Sequence, residues 1–105
     1  MRFIVFMELG PNWESSGTDG TQASIARAHY DYQKGLYENG TVILGGPFKK
    51  SSDGLYVLEA PSREEAEKAF SADPGVEAGL FKFTMRDHFT IFDAHAGSVR
   101  PFPGG

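Results

Sequence analysis

A histidine and an aspartate carry the first chemical suggestion in this sequence. Between Thr21 and Glu38, the residues Ile25, His29, Tyr32 and Leu36 recur at i, i+4, i+7 and i+11, which is one stripe of an α-helix. A stripe of that kind faces a core, so His29 points inward. Further along, Ala66, Ala69 and Phe70 form a second stripe, and Asp73 continues it four residues after Ala69, immediately before Pro74. An inward carboxylate is costly unless paired, and an imidazole on the neighbouring helix is the partner such a fold offers. A carboxylate bonded to one ring nitrogen of a histidine fixes its tautomer and raises its basicity, leaving the second nitrogen to take or give a proton. Together the two residues make a general acid–base pair. They also have a plainer reading: an inward histidine serves as a hydrogen-bonded structural group, and Asp73-Pro74 reads as the cap and first residue of a following helical turn.

The elements that must position this pair follow from pattern. Phe3 to Glu8 is β-branched and aromatic with apolar groups on both alternating faces, as expected of a central strand covered on both sides. From Gly10 to Gly20 the composition turns to Gly, Pro, Asn, Ser, Thr and Asp around Trp13, which is loop chemistry. Thr21 caps a helix that Asn39-Gly40 stops. Thr41 to Leu44 is a short strand ended by Gly45-Gly46-Pro47-Phe48, and Leu55 to Ala60 resumes at hairpin spacing. Ser62-Arg63-Glu64-Glu65 has the form of a capping box, opening a second helix that runs to about Ala72. Leu80 to Phe92 is a long strand with Phe81, Phe83, Met85, Phe89 and Ile91 on one face. The tail from Ala94 onward, rich in small residues and proline, is expected to be frayed over most of its length, the alternative being an arm laid across a partner subunit. The order β-α-β-β-α-β predicts an α+β, ferredoxin-like fold: a four-stranded antiparallel sheet with both helices on one face. Residues 1–93 form the domain and 94–105 the tail. The other sheet face then needs cover, which favours a second copy and a homodimer of the dimeric α+β barrel type.

Composition sets the outer limits. A chain of 105 residues fits one core. Its net charge of -4, with Lys49-Lys50 as its one basic doublet, argues against a nucleic-acid partner. The absence of cysteine excludes disulfides, thiolate nucleophiles and cysteine-bound metal centres. The apolar stretch at the start is too short for a membrane span or a signal segment, so a cytoplasmic location is expected. His29, His88 and His95 show no metal-ligand spacing, and no nucleotide or flavin fingerprint follows any strand. A cofactor-free, metal-free site is the simpler expectation.

Several residues are candidates for binding around the pair. Tyr32 lies on the His29 stripe, and Gly46 and Phe48 form pocket wall where two glycines permit close backbone approach. Trp13 either closes over an apolar substrate or anchors its loop to the domain. Arg86, alternating with His88 on the less apolar face of its strand, either binds a carboxylate or faces solvent or a second subunit.

The run His29-Tyr30, Gly35-Leu36, Gly40, Gly45-Gly46-Pro47-Phe48, Glu65-Ala66 and Asp73 through Leu80 resembles the YCII-related (YciI-like) proteins over most of residues 1–93. The resemblance implies a ferredoxin-like dimeric α+β barrel and a catalytic His and Asp, which fall here on His29 and Asp73. It also implies chemistry only loosely, since members with an assigned reaction include enzymes acting on chlorinated aromatic breakdown products. Two departures bear on substrate access: a longer loop before the first helix, and His88 where the family often has proline. The leading expectation is a cofactor-independent enzyme, lyase, dehalogenase or isomerase-like, moving a proton on a small cyclic or aromatic organic acid. The alternatives are a non-catalytic ligand-binding or accessory protein, with the pair as a structural hydrogen bond, and an oligomerisation module for a larger enzyme.

Overall fold

The computed structural model describes residues 1–14 and 20–101, and the side chain of Ser98 is not described. Residues 15–19 of the loop before the first helix, and 102–105 of the tail, lie outside the described residues. The elements are β1 (Arg2–Leu9), α1 (Gly20–Glu38), β2 (Val42–Pro47), β3 (Gly54–Glu59), α2 (Arg63–Ser71), α3 (Pro74–Glu77), β4 (Phe81–His88), β5 (Phe92–Asp93) and β6 (Ser98–Val99). β1 to β4 form one sheet in the order β2-β3-β1-β4, every neighbouring pair antiparallel.

Alternation along the strands sorts the sheet into two faces. Phe3, Val5 and Met7 of β1, Tyr56 and Leu58 of β3 and Met85 of β4 are buried with Leu36 of α1 and Ala66 and Phe70 of α2. Phe70 joins the layers, edge-on to Tyr56 at 5.4 Å and to Phe83 at 4.9 Å between ring centroids. Its complete burial removes a large apolar area from water, a contribution of roughly 1.5–3 kcal/mol. The opposite face carries Ile4, Phe6, Leu55, Val57, Thr84 and Arg86, with the β5 residue Asp93 bonded to Arg2 at its end.

Local signals end the helices where the sequence places them. Gly40, at φ +87°, lets Thr41 N–H reach the Leu36 carbonyl at 2.8 Å and Gly40 N–H the Tyr37 carbonyl at 3.1 Å, closing α1 with a Schellman turn. The Ser62 hydroxyl accepts from Glu65 N–H at 3.1 Å and opens α2.

Four boundaries differ from the sequence expectation. α1 already includes Gly20, so Thr21 lies inside the helix rather than capping it. β2 continues through Gly45, Gly46 and Pro47 instead of stopping at Leu44. It is an edge strand, where a proline without an N–H costs no ladder bond, and Gly45 lies opposite Tyr56, whose ring occupies the space a side chain would need. β4 ends at His88 rather than Phe92, because its sole neighbour β1 supplies its last partner at Arg2. The segment expected to fray then pairs with itself: β5 and β6 form a small hairpin, closed by Arg100 N–H to the Ile91 carbonyl at 2.7 Å. Among the described residues, no helix is long and apolar enough to cross a membrane.

Candidate active site

Asp73 sits where α2 gives way to α3, and its position follows from three local features. α2 ends at Ser71, Pro74 cannot continue a helix from behind but starts one well, and Asp73 with φ -61° and ψ 127° is the N-cap between them. Its Oδ1 accepts from Gly75 N–H at 2.7 Å. Its Oδ2 faces α1, where it accepts from His29 Nδ1–H at 2.6 Å and from Gln33 Nε2–H at 2.7 Å. Asp73 therefore caps α3 with one carboxylate oxygen and meets His29 with the other. Asp73 is fully buried, and three donors replace the water it has lost.

This arrangement assigns the histidine tautomer. A carboxylate only accepts, so Nδ1 carries the hydrogen, and Nε2 has no hydrogen-bond partner among the described residues. Phe81 packs against the imidazole at 4.6 Å between centroids, and Trp13 packs on Phe81 at 5.8 Å. The loop that carries Trp13 is tied to the α3–β4 turn by Gly10 N–H to the Leu80 carbonyl at 2.7 Å and Asn12 N–H to the Gly79 carbonyl at 2.9 Å.

His29 opens into a cavity of about 600 Å³ between α1 and the β2 edge, a volume in the usual range of small-molecule sites. Its walls are mainly apolar, from Val42, Ile43, Leu44 and Pro47, and Gly46 contributes backbone. Five polar side chains line it beside His29: Tyr30, Gln33, Lys34, Tyr37 and Tyr56. Lys34 is exposed at the rim and forms no ion pair among the described residues. Burial raises the Tyr56 phenol above its ordinary pKa, and the negative charge of Asp73 adds to the effect. The Tyr32 phenol is raised by burial first, then by Asp73 and Glu77.

Of the residues singled out in the sequence, His29, Asp73 and Gly46 come together here. Tyr32 does not line the cavity; its hydroxyl donates to the Ala69 carbonyl at 2.5 Å and ties α1 to α2. Phe48 lies in the β2–β3 turn, beside Phe6, Asp53 and Thr84 and away from His29. Arg86 pairs across the ladder with Ile4 and so points from the opposite face of the sheet. The cation at the cavity is Lys34, which sequence reasoning passed over together with Gln33, Tyr56 and Phe81. Gln33 had a usable signal, because it follows His29 by four residues and shares its helix face.

The profile of the YCII-related domain matches residues 1–85. The chain belongs to the YCII-related family. It is 36% identical over 59 residues to the uncharacterized protein YjpA of Bacillus subtilis (strain 168), an alignment covering 56% of this chain and 69% of that one. Two solved structures share the fold of this YCII-related protein. Muconolactone isomerase superposes with a TM-score of 0.72 at 16% identity, covering 97% of this chain and 98% of that one. The 5-chloro-2-hydroxyhydroquinone dehydrochlorinase TftG of Burkholderia phenoliruptrix AC1100, in complex with 2,5-dihydroxybenzoquinone, gives 0.63 at 22% identity, covering 85% and 94%. The architecture is therefore the ferredoxin-like one of the dimeric α+β barrel class.

Proposed function

We propose that this YCII-related protein is a cofactor-independent enzyme in which His29, oriented by Asp73, moves a proton on a small cyclic or aromatic organic acid. The observation that carries the reading is the buried 2.6 Å bond from His29 Nδ1 to Asp73 Oδ2, beside a cavity that His29 also lines. A neutral imidazole so bonded presents a basic Nε2, and the imidazolium formed on proton uptake is held by the same carboxylate. An apolar cavity suits a ring, and Lys34 at the rim suits a carboxylate. The fold is shared with muconolactone isomerase and with 5-chloro-2-hydroxyhydroquinone dehydrochlorinase, whose named compounds are of this size. Proton transfer of this kind serves an isomerase, when the proton returns to another carbon, and a dehalogenase or lyase, when a leaving group departs with its electron pair.

We further propose that the protein works as a homodimer through the open sheet face, where Phe6 is 42% and Leu44 56% exposed beside Ile4 and Val57. Sedimentation of Phe6→Glu against wild type tests this: the dimer proposal requires the variant to run as a monomer.

The acid–base reading is tested by reading the His29 tautomer from its ring nitrogen signals by NMR. The Nδ1–H form should dominate in wild type and be lost in Asp73→Asn. Turnover of muconolactone or 5-chloro-2-hydroxyhydroquinone, where found, should fall by roughly 10²-fold or more in His29→Gln. A variant as active as wild type would leave the cavity as a binding site and the pair as a structural hydrogen bond.

A further inference from the structure

Tyr56 is 91% buried by its 9% exposure, yet its hydroxyl has no hydrogen-bond partner among the described residues. Buried phenols are normally satisfied, as Tyr32 is by the Ala69 carbonyl. The Tyr56 hydroxyl is not fully shielded from solvent, and the residue lines the cavity that His29 lines. Its ring has little freedom. Phe70 meets it edge-on at 5.4 Å, and it lies over Gly45 so closely that a Cβ there would overlap it. A strand residue with its ring clamped on two sides is a preorganised donor.

We propose that Tyr56 is a second catalytic residue, whose O–H donates a hydrogen bond to the carbonyl oxygen of a substrate as His29 removes a proton from the carbon beside that carbonyl. This deepens the acid–base reading above, rests on it, and names the substrate class: a carbonyl compound with an acidic C–H next to the carbonyl, or its enol. The step balances. Nε2 of His29 takes the proton, the C–H electron pair becomes the carbon–carbon double bond of an enolate, and the carbonyl π pair moves onto oxygen, where Tyr56 holds it. The imidazolium then returns the proton at another carbon, or a leaving group departs from the adjacent carbon with its pair. Tyr56 keeps its own hydrogen throughout. The burial and the Asp73 charge that disfavour the phenolate keep it a donor, as this role requires. Without such a donor the enolate would form in an apolar cavity beside a buried carboxylate, the least favourable setting for a new negative charge.

The test uses 4-nitrophenolate, a ring oxyanion that mimics the enolate oxygen and reports its surroundings by absorbance, with nitrobenzene as the probe that lacks the oxygen. Tyr56→Phe removes one hydroxyl and preserves the ring between Phe70 and Gly45. Wild type should bind 4-nitrophenolate about ten- to hundred-fold more tightly than Tyr56→Phe, the scale of a hydrogen bond to a charged acceptor, while both bind nitrobenzene equally. Equal affinity for 4-nitrophenolate in the two proteins, or no binding by wild type, overturns the proposal. Circular dichroism and urea denaturation verify the fold of the variant. Because binding needs no turnover, failure of the His29 tautomer experiment brings down the acid–base reading independently of what Tyr56 does here.

Discussion

The two ends of β1 use their polar groups in opposite ways. At the Arg2 end most charges meet an opposite charge: the terminal ammonium meets Glu59 at 2.5 Å, Arg2 Nη2 meets Asp93 at 2.8 Å, and the Arg63 guanidinium spans Asp87 at 2.5 Å and Glu67 at 2.8 Å, while Arg2 Nε is buried 3.5 Å from Glu59 without a hydrogen bond. A cavity of about 400 Å³ lies there too, where Arg2, Glu59, Asp87 and Asp93 line it already joined in ion pairs. At the Phe81 end one buried carboxylate gathers three donors, and around it His29 Nε2, the Tyr56 hydroxyl and the Lys34 ammonium keep unspent capacity. Paired charge serves structure, whereas polar groups held rigid and left unpaired are what a ligand can use.

The sharpest way to break this contrast is to empty the Phe81 end of its carboxylate. Asp73→Ala leaves His29, Gln33 and Gly75 donors without a buried acceptor and removes the α3 cap. It should cost about 3–5 kcal/mol by urea denaturation, more than any single charge at the Arg2 end. Second comes Gly45→Val, which forces the Tyr56 ring off its seat. A loss of roughly 1–3 kcal/mol is expected, with a drop in 4-nitrophenolate binding that a purely structural role for Tyr56 would not produce.

At the other end, Arg2→Met should act locally. Hydrogen exchange is expected to quicken in residues 91–100, whose hairpin Arg2 holds through Asp93, while the His29 tautomer stays as in wild type. A tautomer change in that variant would mean that the ends are coupled.

The smallest effect is in pH dependence. The bonded terminal ammonium, helped by Arg2, holds the Glu59 carboxyl below its ordinary 4.5. Its contribution is complete above that value and disappears as pH falls through the lower folded one. Glu59→Gln should flatten the acid limb of the stability curve slightly, the pair being exposed and screened. The alkaline limb belongs to the opposite end. Tyr56 and Tyr32 have raised phenol pKa values, so their contribution is complete below the ordinary 10.0 and disappears as pH rises through the folded values. Tyr56→Phe should weaken the alkaline decline and leave the acid limb unchanged.

How much of the site was legible depended on the distance over which each residue is determined. His29 and Asp73 were readable because a helix repeats its face every three to four residues, and both lie on apolar stripes. Gln33 obeys the same periodicity and could have been read with them. Lys34 and Tyr56 could not, since one is an exposed helix residue and the other one aromatic among many until β2 brings Gly45 beneath it. For Arg86 alternation gave the face, opposite Phe81, Phe83 and Met85, but not what meets it there.

The sequence by itself determined the helices and their stops, the alternation of the strands, the ferredoxin-like order of elements and the inward direction of His29 and Asp73, because each depends on neighbours within about one turn or one strand. Only the tertiary structure decided that the two meet, that the Asp73 cap and the His29 partner are one carboxylate, where β4 runs out of a strand to pair with, and that a clamped tyrosine opens onto the same cavity. Those are contacts between residues tens of positions apart, and their distances are set by how α1, α3 and the sheet pack rather than by any local pattern.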